Sequence, residues 1–244
     1  MIRDDETLDE LRLAGLKVIQ GEKGYRFSLD PVLLCSFAVV AADERVADLG
    51  TGSGIIPLLL ARRSSAAAIV GVERLPELAD RARRSVVLNG LQQRVTIVAG
   101  DLRQEHPELA PQSFHVVLAN PPFRRPGTGR LAPGGERAAA RHELAGGLDD
   151  FLQAAARLLG DGGRFYVVYL AERLAELLAA MRQNQLEPKR LRCVHGRIGE
   201  AARMVLVEGR KRGRAGLSVE PPLVVYSGKE YSAEVRAIYG EDYS

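Results

Sequence analysis

A chain of 244 residues is long enough to bury one large α/β core with a small appendage. Hydrophobic residues make up 46% and charged residues 27%, ordinary shares for a globular protein, and no apolar stretch reaches the roughly 20 residues that span a bilayer. Cys35 and Cys193 stand far apart in apolar segments, which excludes a disulfide framework and a cysteine zinc site. The start, Met1 to Glu6, lacks the charged-then-apolar layout of a leader. Together these features point to the cytoplasm.

In chain order, a polar start gives way to Lys17-Val18-Ile19-Gln20 and Tyr25-Arg26-Phe27-Ser28 around Gly21 to Gly24, the pattern of a small hairpin. Asp30-Pro31 then predicts a helix through Leu33, Leu34 and Phe37, with Asp30 as its N-cap and proline at the first helical position. Residues 1–40 thus form an N-terminal extension. From 41 to 244 the pattern alternates: strand 45–50, helix 53–63, strand 68–73, helix 76–89, strands 95–100 and 115–120. Residues 124–147, rich in Gly, Pro and Arg, read as a long functional insertion. Helix 148–159, strand 164–169 and helix 171–183 restore the alternation, and strands near 190–195 and 204–209 read as an antiparallel edge pair. The tail from Pro221 to Tyr239 is expected to pack against the body. The fold class is α/β, a doubly wound, mostly parallel sheet of about seven strands.

Open sheets of this kind bind ligands at the carboxyl ends of their strands. Strand 45–50 ends in Asp48-Leu49-Gly50-Thr51-Gly52-Ser53-Gly54 and turns into a helix. Glycine lets such a turn bend tightly and approach a ligand, and the helix points its positive end at the turn. The spacing is G-x-G-x-G rather than the G-x-G-x-x-G of dinucleotide enzymes. Glu73 closes the next strand, where an acid commonly meets ribose hydroxyls. Asp101 closes the one after, and its carboxylate with the Leu102 N–H is a candidate adenine clamp. Each acid alone also fits a helix N-cap.

Strand 115–120 ends in Asn120-Pro121-Pro122-Phe123. The Asn120 oxygen and Pro121 carbonyl are two acceptors held by prolines at a fixed angle, beside the aromatic plane of Phe123. Such a device suits a planar group bearing NH2. After it come Arg124, Arg125, Arg130, Arg137, Arg141 and His142; a second cluster runs through Arg190, Arg192, Arg197, Arg203, Arg210, Lys211, Arg212 and Arg214. Basic clusters are commonly plain solvated surface, yet the first directly follows the candidate turn, which points to a polyanionic substrate. The net charge is only +3.

Asp48 to Gly54 together with Asn120 to Phe123 resembles class I S-adenosylmethionine (SAM)-dependent amino-methyltransferases. The narrower resemblance is to bacterial enzymes that methylate adenine N6 beside the anticodon of a valine tRNA. It is carried by Gly24 to Asp30, Ala140-Arg141-His142-Glu143, Val207 to Lys211 and Pro221 to Tyr226. Many relatives have Tyr where this chain has Phe123. The resemblance implies SAM as cofactor, held by Asp48, Gly50, Thr51, Gly52, Gly54, Glu73, Asp101, Leu102 and Asn120, with Arg26 and Asp30 lining its open side. It implies catalysis at Asn120, Pro121, Pro122 and Phe123. The expected partner is RNA, specifically a tRNA, held by Phe123, Arg124, Arg125, Arg130, Arg141, His142, Arg210, Lys211 and Arg212. No metal is needed, because the sulfonium is already activated. Glutamine-N5 methylation of protein, guanine-N2 methylation of rRNA and a non-catalytic RNA-binding module stay open, as does monomer or homodimer.

Overall fold

The computed structural model describes residues 2–11, 15–22, 28–122 and 146–240. Its centre is a sheet of nine strands whose spatial order differs from their order in the chain. In chain order the described strands are β1 (Glu6–Leu11), β2 (Leu16–Gly21), β3 (Arg45–Leu49), β4 (Ala68–Glu73), β5 (Val95–Ala99), β6 (Phe114–Ala119), β7 (Leu159–Leu170), β8 (Leu186–His195) and β9 (Ala202–Lys211). Four short ones follow: β10 (Ser218–Val219), β11 (Leu223–Val224), β12 (Tyr226–Ser227) and β13 (Glu230–Tyr231). The helices are α1 (Asp30–Phe37), α2 (Ile55–Arg63), α3 (Pro76–Leu88), α4 (Leu148–Leu158), α5 (Leu174–Gln183) and α6 (Ala233–Ile238).

The sheet runs β10-β8-β9-β7-β6-β3-β4-β5, and β11 extends the β8 edge beyond β10. Strands β5, β4, β3, β6 and β7 are parallel, while β9 runs antiparallel to both β7 and β8. The expected edge pair is therefore present, but β9 lies inside it and the tail covers the outer edge through β10 and β11.

Successive residues of the strands face opposite layers, as pleating requires. Val46, Ile69, Val116, Leu118 and Tyr166 pack with α1, α2 and α3. Ala47, Val70, Val117, Ala119 and Phe165 pack with Phe151 and Leu152 of α4 and Leu177 and Met181 of α5. Both faces are buried, so these strands read as continuous apolar runs. Leu16 and Val18 of β2 and Leu223, Val225 and Val235 of the tail join the first layer. Among the described residues no helix is long and apolar enough to cross a membrane.

The N-terminus adds a strand and overturns one expectation. Strand β2 pairs antiparallel with β1, from Glu6 opposite Gly21 to Leu11 opposite Leu16. The polar start is thus a strand, and most of the expected partner at 25–28 lies outside the described residues. Apolar alternation could not reveal β1, because Glu6, a buried residue of β1, is held by ions instead: Arg84 Nη1 donates to its Oε2 at 2.7 Å and Arg81 Nε to its Oε1 at 3.1 Å. Nor is Asp30 the N-cap of α1. Leu29 occupies that place with helical angles, φ −64° and ψ −24°, and its carbonyl accepts from Val32 and Leu33 N at 3.0 Å.

Candidate cofactor and amine site

The parallel register brings the candidate strand ends level. Leu49 stands opposite Val72 on one side and Ala119 on the other, and Glu73 opposite Ala99. One residue further, the glycine turn after β3 lies between Glu73 at the end of β4 and Asn120 just beyond β6. Asp101 follows two residues after Ala99. Four consecutive strands thus deliver their polar termini to one edge.

The turn is locked from below. Thr51 N donates to Val72 O and Gly54 N to Thr51 O, both at 2.9 Å. Glu73 spans the two strand ends, with Oε2 accepting from Gly52 N at 2.9 Å and Oε1 from Leu75 N at 2.8 Å. Burial raises the Glu73 carboxyl, and these backbone donors oppose the rise. Asp48 is completely buried and faces the Thr51 hydroxyl, yet neither its carboxylate oxygens nor that hydroxyl makes a hydrogen bond of ordinary geometry among the described residues. Burial pushes the Asp48 carboxyl up to about 7; the Thr51 hydroxyl opposes the rise and the Glu73 charge adds to it. Unpartnered buried acceptors are costly, so their persistence beside a glycine turn marks a place for an incoming donor.

Asp101 is differently occupied. Arg103 grips its carboxylate through Nε at 2.9 Å and Nη2 at 2.6 Å, and Arg74 Nη1 lies 3.5 Å away. The Arg103 pairing holds this carboxyl down to about 2. Among the described residues the Leu102 N–H meets no acceptor. Of the expected adenine clamp, the amide is thus open and the acid already engaged. Arg103, two residues after Asp101, is a partner that the strand-end pattern did not reveal.

Asn120 and Pro122 are half-buried and Pro121 is buried. Asp30 lies in the first turn of α1, which packs on α2, the helix leaving the glycine turn. Burial raises its carboxyl, and a hydrogen bond from Ser28 opposes that. Arg26, Phe123, Arg124, Arg125, Arg130, Arg141 and His142 lie outside the described residues.

The part of the second basic cluster expected to hold RNA, Arg210 to Arg212, does not join this edge. Because β9 runs antiparallel to β7, Arg210 sits opposite Arg164, at the far end of the sheet. Lys211 is buried, and its ammonium donates to Leu159 O at 2.7 Å. Arg212 pairs with Asp161 at 3.0 Å. Arg210, Lys211 and Arg212 therefore do not assemble with the other RNA-binding candidates. Arginines that look unopposed in the sequence meet acids from other strands: Arg190 meets Glu208 and Glu220, and Arg192 meets Glu234, each at 2.7 Å.

The family model described as a methyltransferase domain matches residues 41–230. A tRNA1(Val) (adenine(37)-N6)-methyltransferase of Aeromonas salmonicida is 33% identical over 189 residues, 76% of this chain and 77% of the relative. The enzyme of the same name from Porphyromonas gingivalis is 32% identical over 158 residues, 62% of this chain; the match spans 61% of that relative's length. Among solved structures, a predicted O-methyltransferase from Agrobacterium tumefaciens superposes with a TM-score of 0.70 at 24% identity, covering 86% of this chain and 95% of that one. Geranyl diphosphate methyltransferase in complex with SAM gives 0.54 at 14% identity, over 74% and 84%. These two show the shared fold.

The residues present fit SAM. Asp48 and Thr51 offer buried oxygens without a hydrogen bond of ordinary geometry, Glu73 presents its carboxylate beside the turn, and a Cβ placed on Gly52 would meet no atom within 4 Å. The strand-end acids, the open glycine turn and the match over 41–230 make this chain a member of the SAM-dependent methyltransferase family.

Proposed function

We propose that the chain methylates the exocyclic N6 of adenine in RNA, in a tRNA beside the anticodon, with Asn120, Pro121, Pro122 and Phe123 as the amine-holding turn. The observation that carries this reading is the level placement of Asn120 beside the glycine turn, across the β3–β6 pair. The relatives named for tRNA1(Val) adenine-37 support the substrate.

Bound SAM supplies an activated methyl group on a sulfonium. The Asn120 oxygen and the Pro121 carbonyl accept the two hydrogens of the amine, leaving its remaining lobe turned towards the donor. Adenine N6 is a poor nucleophile because its lone pair is delocalised, so fixing its direction supplies much of the rate; positioning can contribute roughly 7–11 kcal/mol. The Phe123 ring stacks on the extruded base, and Arg124, Arg125, Arg130, Arg141 and His142 hold flanking phosphates. An anticodon-loop adenine is cheap to extrude because no long duplex pairs it.

The test is incubation with total tRNA and tritium-labelled SAM, followed by nucleoside analysis, expected to give N6-methyladenosine in one tRNA. Label in N2-methylguanosine, or in a protein glutamine, would transfer the same turn to another planar NH2. Asn120→Ala is expected to keep SAM affinity and lose at least about 100-fold in turnover, the pattern of a group acting mainly in the transition state. Unchanged turnover would remove Asn120 from the mechanism.

A further inference from the structure

Three tyrosines of the tail form a column at the same edge as the Asn-Pro-Pro turn. Tyr239 stacks on Tyr231 with centroids 5.7 Å apart and planes at 13°, and Tyr231 on Tyr226 at 5.4 Å and 17°. The Arg197 guanidinium lies over the Tyr226 ring, 5.4 Å from its centroid. Topology fixes the edge: β8 is parallel to β7, so its end at His195 lies with the ends of β6 and β7. Beside it, Val224 pairs with His195 and Tyr226 N donates to Gly196 O at 2.9 Å. The column and Asn120 are three to four strand spacings apart, at about 4.8 Å each roughly 15–20 Å.

The inner members are packing residues: Tyr231 and Tyr239 lie partly buried against the α1–α3 layer. The outer members are not. Tyr226 is 37% exposed, and Ile198, next to Arg197, is 88% exposed. Arg197 is also held loosely, 3.7 Å from Glu200, whereas Arg190 and Arg192 grip their acids at 2.7 Å. Arg203 is exposed and has no ion pair among the described residues. A flat cation capping an aromatic stack, with a second cation nearby, matches how unpaired bases are held, on aromatic rings or guanidinium planes with phosphates alongside.

We propose that Arg197 on Tyr226 is a stacking platform for an unpaired RNA base a few nucleotides from the one that is methylated. The proposal rests on the RNA reading above. Fluorescence anisotropy with a labelled anticodon-arm RNA tests it, using wild type and the variants Arg197→Ala, Arg197→Lys, Tyr226→Ala and Tyr226→Phe. The two alanine variants should weaken binding about tenfold, Arg197→Lys nearly as much, and Tyr226→Phe by less than about twofold. Affinity for SAM and for a base-paired duplex of equal length should not change. An Arg197→Lys protein that binds like wild type would reduce the site to a charge and overturn the platform. If all variants match wild type while wild type methylates tRNA, the platform fails and the activity stands. If the variants weaken as expected but wild type methylates no RNA, the platform stands and the activity fails. A wild type that binds no RNA overturns both. Tyr226→Phe and Arg197→Lys keep the comparison valid should an alanine variant misfold.

Discussion

Alanine at Gly52 and at Gly54 should separate donor binding from folding. Both residues have left-handed angles, φ +57° and +84°, so at either position an L side chain costs about 1–2 kcal/mol. Beyond that the two sites differ. A Cβ on Gly54 would lie 3.0 Å from Ala82 Cβ and 3.3 Å from Ala82 Cα on α3. Neither atom can swing aside, so α2 and α3 must part, adding about 1–3 kcal/mol of overpacking. A Cβ on Gly52 meets nothing within 4 Å.

For a chain of this size each kcal/mol moves the melting temperature by about 2–4 °C. Gly52→Ala should therefore melt roughly 2–8 °C below wild type and Gly54→Ala roughly 4–20 °C below it. Affinity should run the other way: the Cβ at Gly52 enters the space assigned to the donor, so SAM binding weakens at least about tenfold, or 1.4 kcal/mol. Differential scanning calorimetry of the ligand-free proteins and isothermal titration with SAM read the two effects. A Gly52→Ala protein that binds SAM as wild type does would show that the open space is not the donor pocket. A Gly54→Ala protein as stable as Gly52→Ala would refute the packing argument at Ala82.

Three other outcomes are expected. The Asp48 carboxyl, at about 7 in the folded chain against an ordinary 3.8, makes ligand-free stability fall as pH rises from about 4 to 7, by at most about 4 kcal/mol, and stay flat above. Asp48→Asn should abolish that fall in pH-dependent melting and weaken SAM binding; an unchanged profile would contradict it. Glu6 is held down to about 2 against 4.5, so its contribution is complete above pH 4.5 and lost as pH falls through 2. Glu6→Gln should cost about 3–5 kcal/mol at pH 7, the range for breaking a buried pair, with the deficit closing near pH 2 in denaturant titrations. Lys211→Ala should lower stability by about 1–3 kcal/mol through loss of the charged bond to Leu159 O, yet leave RNA affinity and its salt dependence unchanged. A salt slope shallower by about one would restore Lys211 as a phosphate contact.

The elements from β3 to α5 were legible because both periodicities are plain there: buried parallel strands as apolar runs and helices with one apolar stripe. The strand-end pattern of Asp48, Glu73, Asp101 and Asn120 was legible for the same reason, since a strand's end fixes where its next residue stands. What escaped were features whose partners lie far off in the chain. Strand β1 buries a glutamate against Arg81 and Arg84 of α3, more than 70 residues away, and hydropathy cannot register that. The β8 arginines, Arg190 and Arg192, seemed unopposed because their acids, Glu208, Glu220 and Glu234, arrive through strand pairing and the tail. The Arg197–Tyr226 stack has the same origin.

That pairing changes what basicity means for this molecule. An arginine already joined to a carboxylate neutralises no phosphate unless the pair is broken, so it releases few counterions when RNA arrives. Arg190, Arg192 and Arg212 are of this kind, and Lys211 is turned inward. Their role is to hold the tail and the β8–β9 pair in place against the sheet. Counting cations along the sequence therefore overstates the electrostatic pull on a polyanion. Among the described members of this cluster, Arg197 and Arg203 stand at the edge where the parallel strands end, while Arg210 and Arg214 stand exposed near the opposite end. The share of this cluster in recognition therefore rests more on stacking and shape than on charge, which suits a substrate presenting bases in a loop rather than a uniform duplex.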